Sequence, residues 1–426
     1  MIALLLAALV QAADKPNIVF ILADDLGWSD LTPEVAPNLS RLKGLRLTSW
    51  GTCQNCAPTR ACLMSGQYPP RTGIYTVDTL ARGRAEDRKL TPPENETKLP
   101  LDRTTIAQAL KSAGYATAMF GKWHLGQTGE WHPGRRGFDE AITTMGKHFD
   151  FVTQPKTDVA KDVYLADWLT DRAVEFITKS KDQPFFLYLP HFGVHSPQQA
   201  KKELVERFKG SVYAAMIASV DESVGRVVAT LDALGLSKKT LLIFSSDNGG
   251  VGGYGDAAKN VTDNAPLRGG KGQLYEGGIR APFLASWPGT IPEGSTSSFP
   301  AAHVDLYPTL LELAGAKAPA QPLDGVSLAK LLRDPAAAPE RDALYWHLPG
   351  YLEGAAGRWR TTPVGAIRAG DWKLLEYFED GRLELYNLKD DLGESKNLAA
   401  AQPERAKALR EKLAAWRSSL HAAMPR

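Results

Sequence analysis

The sequence predicts an α/β protein: a large, mostly parallel sheet sandwiched by helices, followed by a small C-terminal subdomain of antiparallel sheet plus helix. Three observations predict it. Short continuous apolar runs recur between Asn17 and Ser245, as in parallel strands buried on both faces. Longer stretches with helical spacing lie between them. After about Glu340 the pattern changes to short strand-like segments joined by turn residues.

In chain order, Asn17 to Ala23 (NIVFILA) reads as the first buried strand. Thr105 to Ala113 reads as a helix and Tyr115 to Phe120 as a strand. Tyr164 to Ser180 places Leu165, Trp168, Leu169, Ala173 and Phe176 on one helical face. Pro184 to Leu189 is another strand, Tyr213 to Leu236 a long amphipathic helix, and Thr240 to Ser245 a further strand. Beyond Glu340, Ala343 to His347, Ala366 to Ala369, Trp372 to Phe378 and Arg382 to Asn387 read as antiparallel strands. Asp380-Gly381 supplies the turn between the last two, and Gln402 to Leu420 closes the chain as an amphipathic helix. The organisation expected is therefore a main domain over 14–340 and a subdomain over 341–426.

Lys plus Arg total 50 against 48 for Asp plus Glu, a formal charge of +2, which gives no support to nucleic-acid binding. A local basic site for an anionic substrate is compatible with it. Met1 to Ala13 (MIALLLAALVQAA) lacks a basic start but is apolar and ends in small residues, so 1–12 reads as a signal peptide cleaved after Ala12. It is too short to span a bilayer, and no later segment reads as transmembrane, so export to the periplasm or exterior is expected. Cys53 and Cys56 form a C-x-x-C, but no second Cys/His cluster accompanies it and zinc is disfavoured. Cys53 and Cys62 read as buried thiols in preference to a disulfide.

Asp24-Asp25, Lys122 with His124, His195 and Asp247-Asn248 each follow a predicted strand closely. In a parallel sheet the carboxyl ends of the strands share one rim, so these groups should converge. Asp24, Asp25, Asp247 and Asn248 offer hard oxygen ligands, suited to Ca²⁺ or Mg²⁺. Without a cation, so many carboxylates would repel one another. Lys122 and His124, two apart in an extended stretch, should point the same way. Lys271 stands in a glycine-rich stretch, Pro266 to Gly272, that suits a tetrahedral oxyanion but lacks P-loop spacing.

Cys56-Ala57-Pro58-Thr59-Arg60, followed by Ala61-Cys62-Leu63-Met64-Ser65-Gly66, is weak alone, since a buried cysteine beginning an ordinary helix would look the same. In order with Asp24-Asp25, Gly121-Lys122-Trp123-His124-Leu125-Gly126, His195, Asp247-Asn248 and Lys271, it resembles the formylglycine-dependent sulfatases, the arylsulfatase family that includes N-acetylgalactosamine-6-sulfatases. The resemblance runs from about Pro16 to Leu398 and implies an alkaline-phosphatase-like fold. It implies that a formylglycine-generating enzyme converts Cys56 to 3-oxoalanine, whose hydrate attacks sulfur. One Ca²⁺ would be held by Asp24, Asp25, Asp247, Asn248 and the converted Cys56. Arg60 would pair with the hydrate and hold the loop, and Lys122 would neutralise sulfate oxygens. His124 would take a proton from the second hydroxyl, and His195, beside Lys271, would protonate the leaving oxygen. Threonine at position 59 departs from the family's usual serine but keeps the hydroxyl.

The activity implied is release of inorganic sulfate from a sulfated carbohydrate. A phosphonate monoester or phosphodiester hydrolase using the same site is the nearest enzyme alternative, and a non-catalytic sulfated-glycan binding protein is the alternative of another class. The loops Tyr75 to Pro100, Gly126 to Phe149, Gly250 to Asn264 and Trp346 to Arg360 should shape the outer pocket, with Trp131, His132, Arg135, Arg136, His148, Trp346, Arg358 and Arg360. His303 reads as structural, and Asn95 and Asn260 begin glycosylation sequons.

Overall fold

A computed structural model describes residues 15–252, 261–353 and 359–426. The expected signal peptide (1–12), Asn260 and Arg358 lie outside the described residues. The main sheet is built from β1 (Asn17–Ala23), β2 (Leu45–Leu47), β3 (Ala116–Gly121), β4 (Glu140–Thr144), β5 (Thr153–Gln154), β6 (Phe185–Pro190), β7 (Thr240–Ser246), β8 (Phe283–Ser286) and β9 (Ser295–Ser297). Their order is β9-β2-β8-β7-β1-β6-β3-β4-β5. The stretch β7-β1-β6-β3-β4 is parallel throughout, with Phe20 opposite Tyr188 on one side and Ile243 on the other. Antiparallel pairing enters at β8, which separates β7 from β2, and at β5.

Strand alternation divides the core. Ile18, Phe20 and Leu22 face a cluster with Ala57, Ala61 and Leu63 of α1 (Cys56–Ser65), Ile106 and Leu110 of α2 (Ile106–Ser112), and Leu306 and Leu310 of the helix Leu306–Ala314. Val19, Ile21 and Ala23 face the other side, against Leu165, Leu169 and Phe176 of α3 (Leu165–Lys179) and Met216, Val220 and Val227 of α4 (Val212–Ala233). With both faces covered, a polar residue inside β1 would be stranded, so the run of apolar residues is obligatory. Each of the Val, Leu, Ile, Met and Phe side chains among these contributes about 1.5–3 kcal/mol by burial.

Strands β10 (Leu344–Leu348), β11 (Val364–Ala369), β12 (Trp372–Tyr377) and β13 (Leu383–Asn387) form a second, antiparallel sheet in sequential order. The last helix, Pro403–Ser419, lays Ala406, Leu409 and Leu413 on Ile367, Leu374 and Leu385 of one face. The other face packs Leu344, Trp346, Val364 and Leu375 against Leu274, Tyr275 and Ile279. Those residues immediately follow Lys271, so the small sheet supports a loop of the main one. The predicted α/β class and the antiparallel addition are both observed, and the short strands β2, β4, β5, β8 and β9, which carry no distinctive run, are additions to the predicted set.

Candidate active site

The four strands expected to bear reactive groups are adjacent, in the order β7-β1-β6-β3, and their carboxyl ends share one rim. Asp24 and Asp25 follow β1, Lys122 and His124 follow β3, His195 follows β6, and Asp247 and Asn248 follow β7. Cys56 arrives from outside the sheet as the first residue of α1, whose last turn ends at Gly66 in a left-handed cap. Thr59 Oγ1 accepts from the Cys53 amide at 2.9 Å, so the hydroxyl at this position pins the chain leading into Cys56.

One ligand atom from each of Asp24, Asp25, Cys56 and Asp247 falls within 4.8 Å of the others, and all four residues are buried. Asn248 completes the cluster: its Nδ2 donates to Asp25 Oδ1 at 2.8 Å, while its buried Oδ1 has no hydrogen-bond partner. Cations surround these acids. Lys122 Nζ lies 2.5 Å from Asp24 Oδ2, and Lys271 Nζ lies 2.7 Å from Asp25 Oδ2. Arg60 donates from Nε and Nη2 to Asp247 Oδ2 at 3.0 and 2.7 Å, from Nη2 to Asp24 at 3.2 Å, and from Nη1 to the Lys122 carbonyl at 2.5 Å. Its guanidinium is fully buried, so it ties α1 to three strand ends.

Burial acts to raise the Asp24 pKa, but Lys122, His195, Arg60 and Lys271 outweigh it and hold the carboxyl well below the usual range. Burial and the neighbouring Asp24 push Asp247 up. The Cys56 thiol, 3.6 Å from Asp24 Oδ1, is pushed up to about 12 by burial and by that carboxylate. Burial, then Lys122, holds His124 well below the ordinary histidine value, and its Nδ1 is buried without a partner. The extended stretch expected across Lys122 and His124 is interrupted, because His124 has a left-handed backbone (φ 65°). Lys122 turns onto Asp24 while His124 lines the cavity above.

That cavity, of about 390 Å³, is lined by Asp25, Asn55, Cys56, His124, His195 and Lys271 at its base, and by Val77, Asp78, Arg82, Ser196, Val251, Leu352, Glu353 and Arg360. Its size is that of ordinary ligand pockets. His195 Nε2 lies 3.7 Å from Asp25 Oδ2, the same oxygen that Lys271 holds. His148 does not line the pocket as expected: it is 1% exposed, stacks on Tyr164 with Phe192 tilted against it, and places Nε2 2.8 Å from the His195 carbonyl oxygen.

The glycines around Lys271 were expected to admit an anion, but they admit backbone instead. A Cβ on Gly249 would sit 1.8 Å from the Gly277 carbonyl oxygen, and one on Gly270 would sit 2.0 Å from that of Gly252. This packing, with Asn264 bridging Gly250 and Gly269, seats Lys271 under Gly250. Other expected wall residues are structural. Arg136 is buried on the carbonyls of Leu99, Pro100 and Arg103, and Trp346 Nε1 donates to Thr52. Trp131, His132 and Arg135 do not line the cavity, and of the expected set Arg360 does. His303 is buried beside Trp50, in keeping with a structural reading. Cys53 and Cys62 are buried free thiols with sulfurs 3.6 Å apart. The Asn95 side chain is fully engaged with backbone groups of Tyr75, Thr76 and Asp78, which leaves no amide for a glycan. The expected loops Tyr75 to Pro100 and Trp346 to Arg360 do line the cavity, through Asp78, Arg82 and Glu353 among others, but these residues were not singled out in the sequence, and neither were Asn55 and Ser196.

Comparison with known proteins agrees with this geometry. The family model described as Sulfatase matches residues 16–316, and one described as N-sulphoglucosamine sulphohydrolase, C-terminal, matches residues 270–419. A sulfatase of Formosa agariphila is 34% identical, covering 95% of this chain and 89% of its own length. The N-acetylgalactosamine-6-sulfatase of Rattus norvegicus is 34% identical over 74% of this chain and 66% of its own. The crystal structure of Ps i-CgsB in complex with k-i-k-neocarrahexaose aligns with a TM-score of 0.79 at 29% identity, covering 94% of this chain and 92% of that one. The match spans both the strand ends that carry the acids and the loop that carries Lys271, and on it the chain belongs to the sulfatase family, a family of sulfuric ester hydrolases.

Proposed function

We propose that the protein releases inorganic sulfate from a sulfated carbohydrate, using Cys56 converted to 3-oxoalanine by a formylglycine-generating enzyme. The observation that carries this reading is the buried cluster of Asp24, Asp25, Cys56 and Asp247 at the base of a cavity, where His124, His195 and Lys271 join it. The names of similar proteins, an N-acetylgalactosamine-6-sulfatase and a structure holding a carrahexaose, support a carbohydrate as the substrate class. The apolar segment 1–12 supports work outside the cytoplasm, and among the described residues no helix is long and apolar enough to cross a membrane. We read 14–340 as the catalytic domain and 341–426 as its supporting subdomain.

The donor set fits a calcium ion: hard oxygens of Asp24, Asp25 and Asp247, and an Asn248 Oδ1 that otherwise lies buried and unpartnered. Bound there with the converted Cys56, the ion would supply positive charge against the sulfate group. An unconverted Cys56 is a poor nucleophile in this setting, since burial and Asp24 keep it a thiol. The hydrate of the converted residue would carry a second hydroxyl on the carbon that bears the attacking oxygen, whose deprotonation expels sulfate and restores the aldehyde, a route that a thiol lacks.

The remaining work falls to side chains already in place. Lys122 and Lys271 bring ammonium groups to the base and lower the cost of admitting an anion beside carboxylates. His124 is kept neutral by burial and by Lys122, which suits it to accept a proton from the converted residue. His195, in the same cavity lining and a quarter exposed, is placed to give a proton to the leaving oxygen.

Peptide mass spectrometry across Cys56, on protein made with a formylglycine-generating enzyme, tests the reading together with turnover of p-nitrophenyl sulfate. Conversion with sulfate release is expected. A clear preference for bis(p-nitrophenyl) phosphate would favour phosphodiester hydrolysis, and an unconverted thiol with no turnover would leave a binding protein.

A further inference from the structure

The wall above the reaction centre is built by two segments distant in sequence: 75–82, and the hairpin of Leu352–Glu353 with Trp359–Thr361. They are joined to each other. Ala81 and Tyr351 form a β-bridge, and a Cβ on Gly83 would fall 2.4 Å from the Trp359 ring, so the two backbones pack in direct contact.

The first segment is also fastened to the residues preceding Cys56. Gln54 Nε2 donates to the Tyr75 carbonyl at 2.7 Å, and Asn55 Nδ2 donates to Thr76 Oγ1 at 2.7 Å. From the other side, Asn95 Oδ1 accepts from the amides of Tyr75 and Thr76 at 2.8 and 3.1 Å. Its Nδ2 donates to the carbonyls of Thr76 and Asp78 at 3.2 and 2.8 Å. Arg82 Nη2 donates to the Val77 carbonyl at 2.7 Å, so this cation holds the loop from below.

Asp78 stands at the end of this fastened segment. Its backbone is left-handed (φ 60°), a conformation that aspartate and asparagine tolerate better than other non-glycine residues. Its side chain is exposed, lines the cavity, and makes no hydrogen bond or ion pair among the described residues. An ionised carboxylate accepts hydrogen bonds and donates none. A backbone so firmly clamped therefore presents a fixed acceptor at the mouth of a cavity whose base takes an anion.

We propose that Asp78 is a specificity-determining residue, which accepts hydrogen bonds from the free hydroxyls of the sugar ring that carries the sulfate. This rests on the reading of the site as a carbohydrate sulfatase. It narrows that reading to substrates whose ring presents donor hydroxyls to Asp78. The carboxylate binds substrate without entering the reaction.

The test compares kcat/KM on a small aryl ester, p-nitrophenyl sulfate, with that on the 6-sulfates of galactose, N-acetylgalactosamine and N-acetylglucosamine. Protein with verified Cys56 conversion is used, as wild type, Asp78→Asn and Asp78→Gly; both replacements suit a left-handed backbone. The ratio of the best sugar sulfate to the aryl sulfate should fall about 10- to 100-fold in Asp78→Gly, the range for losing hydrogen bonds to a charged group. Asp78→Asn, which keeps one carbonyl acceptor, should fall in between, with the loss mainly in KM. An unchanged ratio in both variants would overturn the proposal. Wild-type turnover of the aryl ester with none of any sugar sulfate would overturn it too, while leaving the hydrolase intact. Turnover of neither ester would remove the parent reading and this one together.

Discussion

His148 places its Nε2 2.8 Å from the carbonyl oxygen of His195, so one histidine positions the backbone of another. His148 is itself buried, between Phe192 and Tyr164, and has no route to a substrate. Burial holds it below the ordinary histidine value, in the neutral form with one N–H to give. Replacing it by alanine leaves the His195 carbonyl unpaired and the ring of Phe192 unsupported. We expect His148→Ala to lower kcat about tenfold or more with a smaller change in KM, the signature of misplacing a group that acts in the transition state. His148→Gln, which retains an N–H donor, should recover part of the loss. Equal losses in both variants would show that the ring's packing matters and its hydrogen bond does not.

Lys373 joins the small sheet to the main one through a fully buried ion cluster. Its Nζ lies 2.9 Å from Glu276 Oε1 and 2.8 Å from Glu394 Oε1, and Glu276 also takes Arg280 at 2.6 Å. Removing one member of a buried set strands the others, at a cost of about 3–5 kcal/mol. Lys373→Ala should therefore lower the urea midpoint strongly. Because Glu276 opens the turn following the Lys271 loop, activity should fall before global unfolding. Adding Glu394→Gln should restore part of the stability, since one stranded charge is then removed. Additive losses in the double variant would argue against direct coupling.

The parts legible in the sequence are those governed by local rules. A strand buried on both faces carries a mostly apolar run, with its few polar residues paired near the ends, which made β1, β3, β6 and β7 readable. Parallel pairing then puts Asp24, Lys122, His195 and Asp247 on one rim without further information. The wall of the cavity follows no such rule. Asp78 is placed by Asn95, Gln54 and Asn55, and Glu353 by a hairpin of the distant subdomain, contacts with no periodicity to betray them. His148 and Arg136 read as outer-pocket residues and are instead buried, because burial of a polar side chain depends on partners elsewhere in the chain. The left-handed turn at His124 was equally hidden, since nothing in the Gly121 to Gly126 stretch distinguishes it from an extended one.

Calcium should stabilise the fold as well as serve the reaction. Asn248 Oδ1 is buried without a partner, and Asp24, Asp25 and Asp247 crowd within ligand distance of one another. A ligand that binds only the native state at 100 times its dissociation constant adds about 2.7 kcal/mol. Calorimetry with and without EGTA should show a rise in Tm on adding Ca²⁺, scaling with its concentration. Asn248→Ala removes a carbonyl ligand without adding charge and should reduce that rise severalfold. A Tm indifferent to Ca²⁺ in the wild type would count against calcium as the ion these residues hold.

Acid should destabilise the fold through buried histidines that do not line the cavity. Burial lowers His191 and His347 to about 4 and His303 to about 3. Each is neutral in the native state; His191 meets Ser223 Oγ at 3.0 Å, His303 the Gly51 carbonyl at 3.3 Å and His347 the Ala423 carbonyl at 2.8 Å. The unfolded chain takes up protons near the ordinary histidine value of 6.5, while the native chain does so only below about 4. Between these values the unfolded state binds more protons, so stability falls as pH falls. Each histidine then costs on the order of 3 kcal/mol by the bottom of the window, at about 1.4 kcal/mol per tenfold change in proton affinity. Urea midpoints should be level from pH 8 to 7 and decline steeply from 6.5 toward 4. His191→Gln can still hydrogen-bond Ser223 but cannot titrate, so its midpoint should decline less over the same range, even if it starts lower. A parallel decline in that variant would place the acid sensitivity in other groups, the carboxylates first among them.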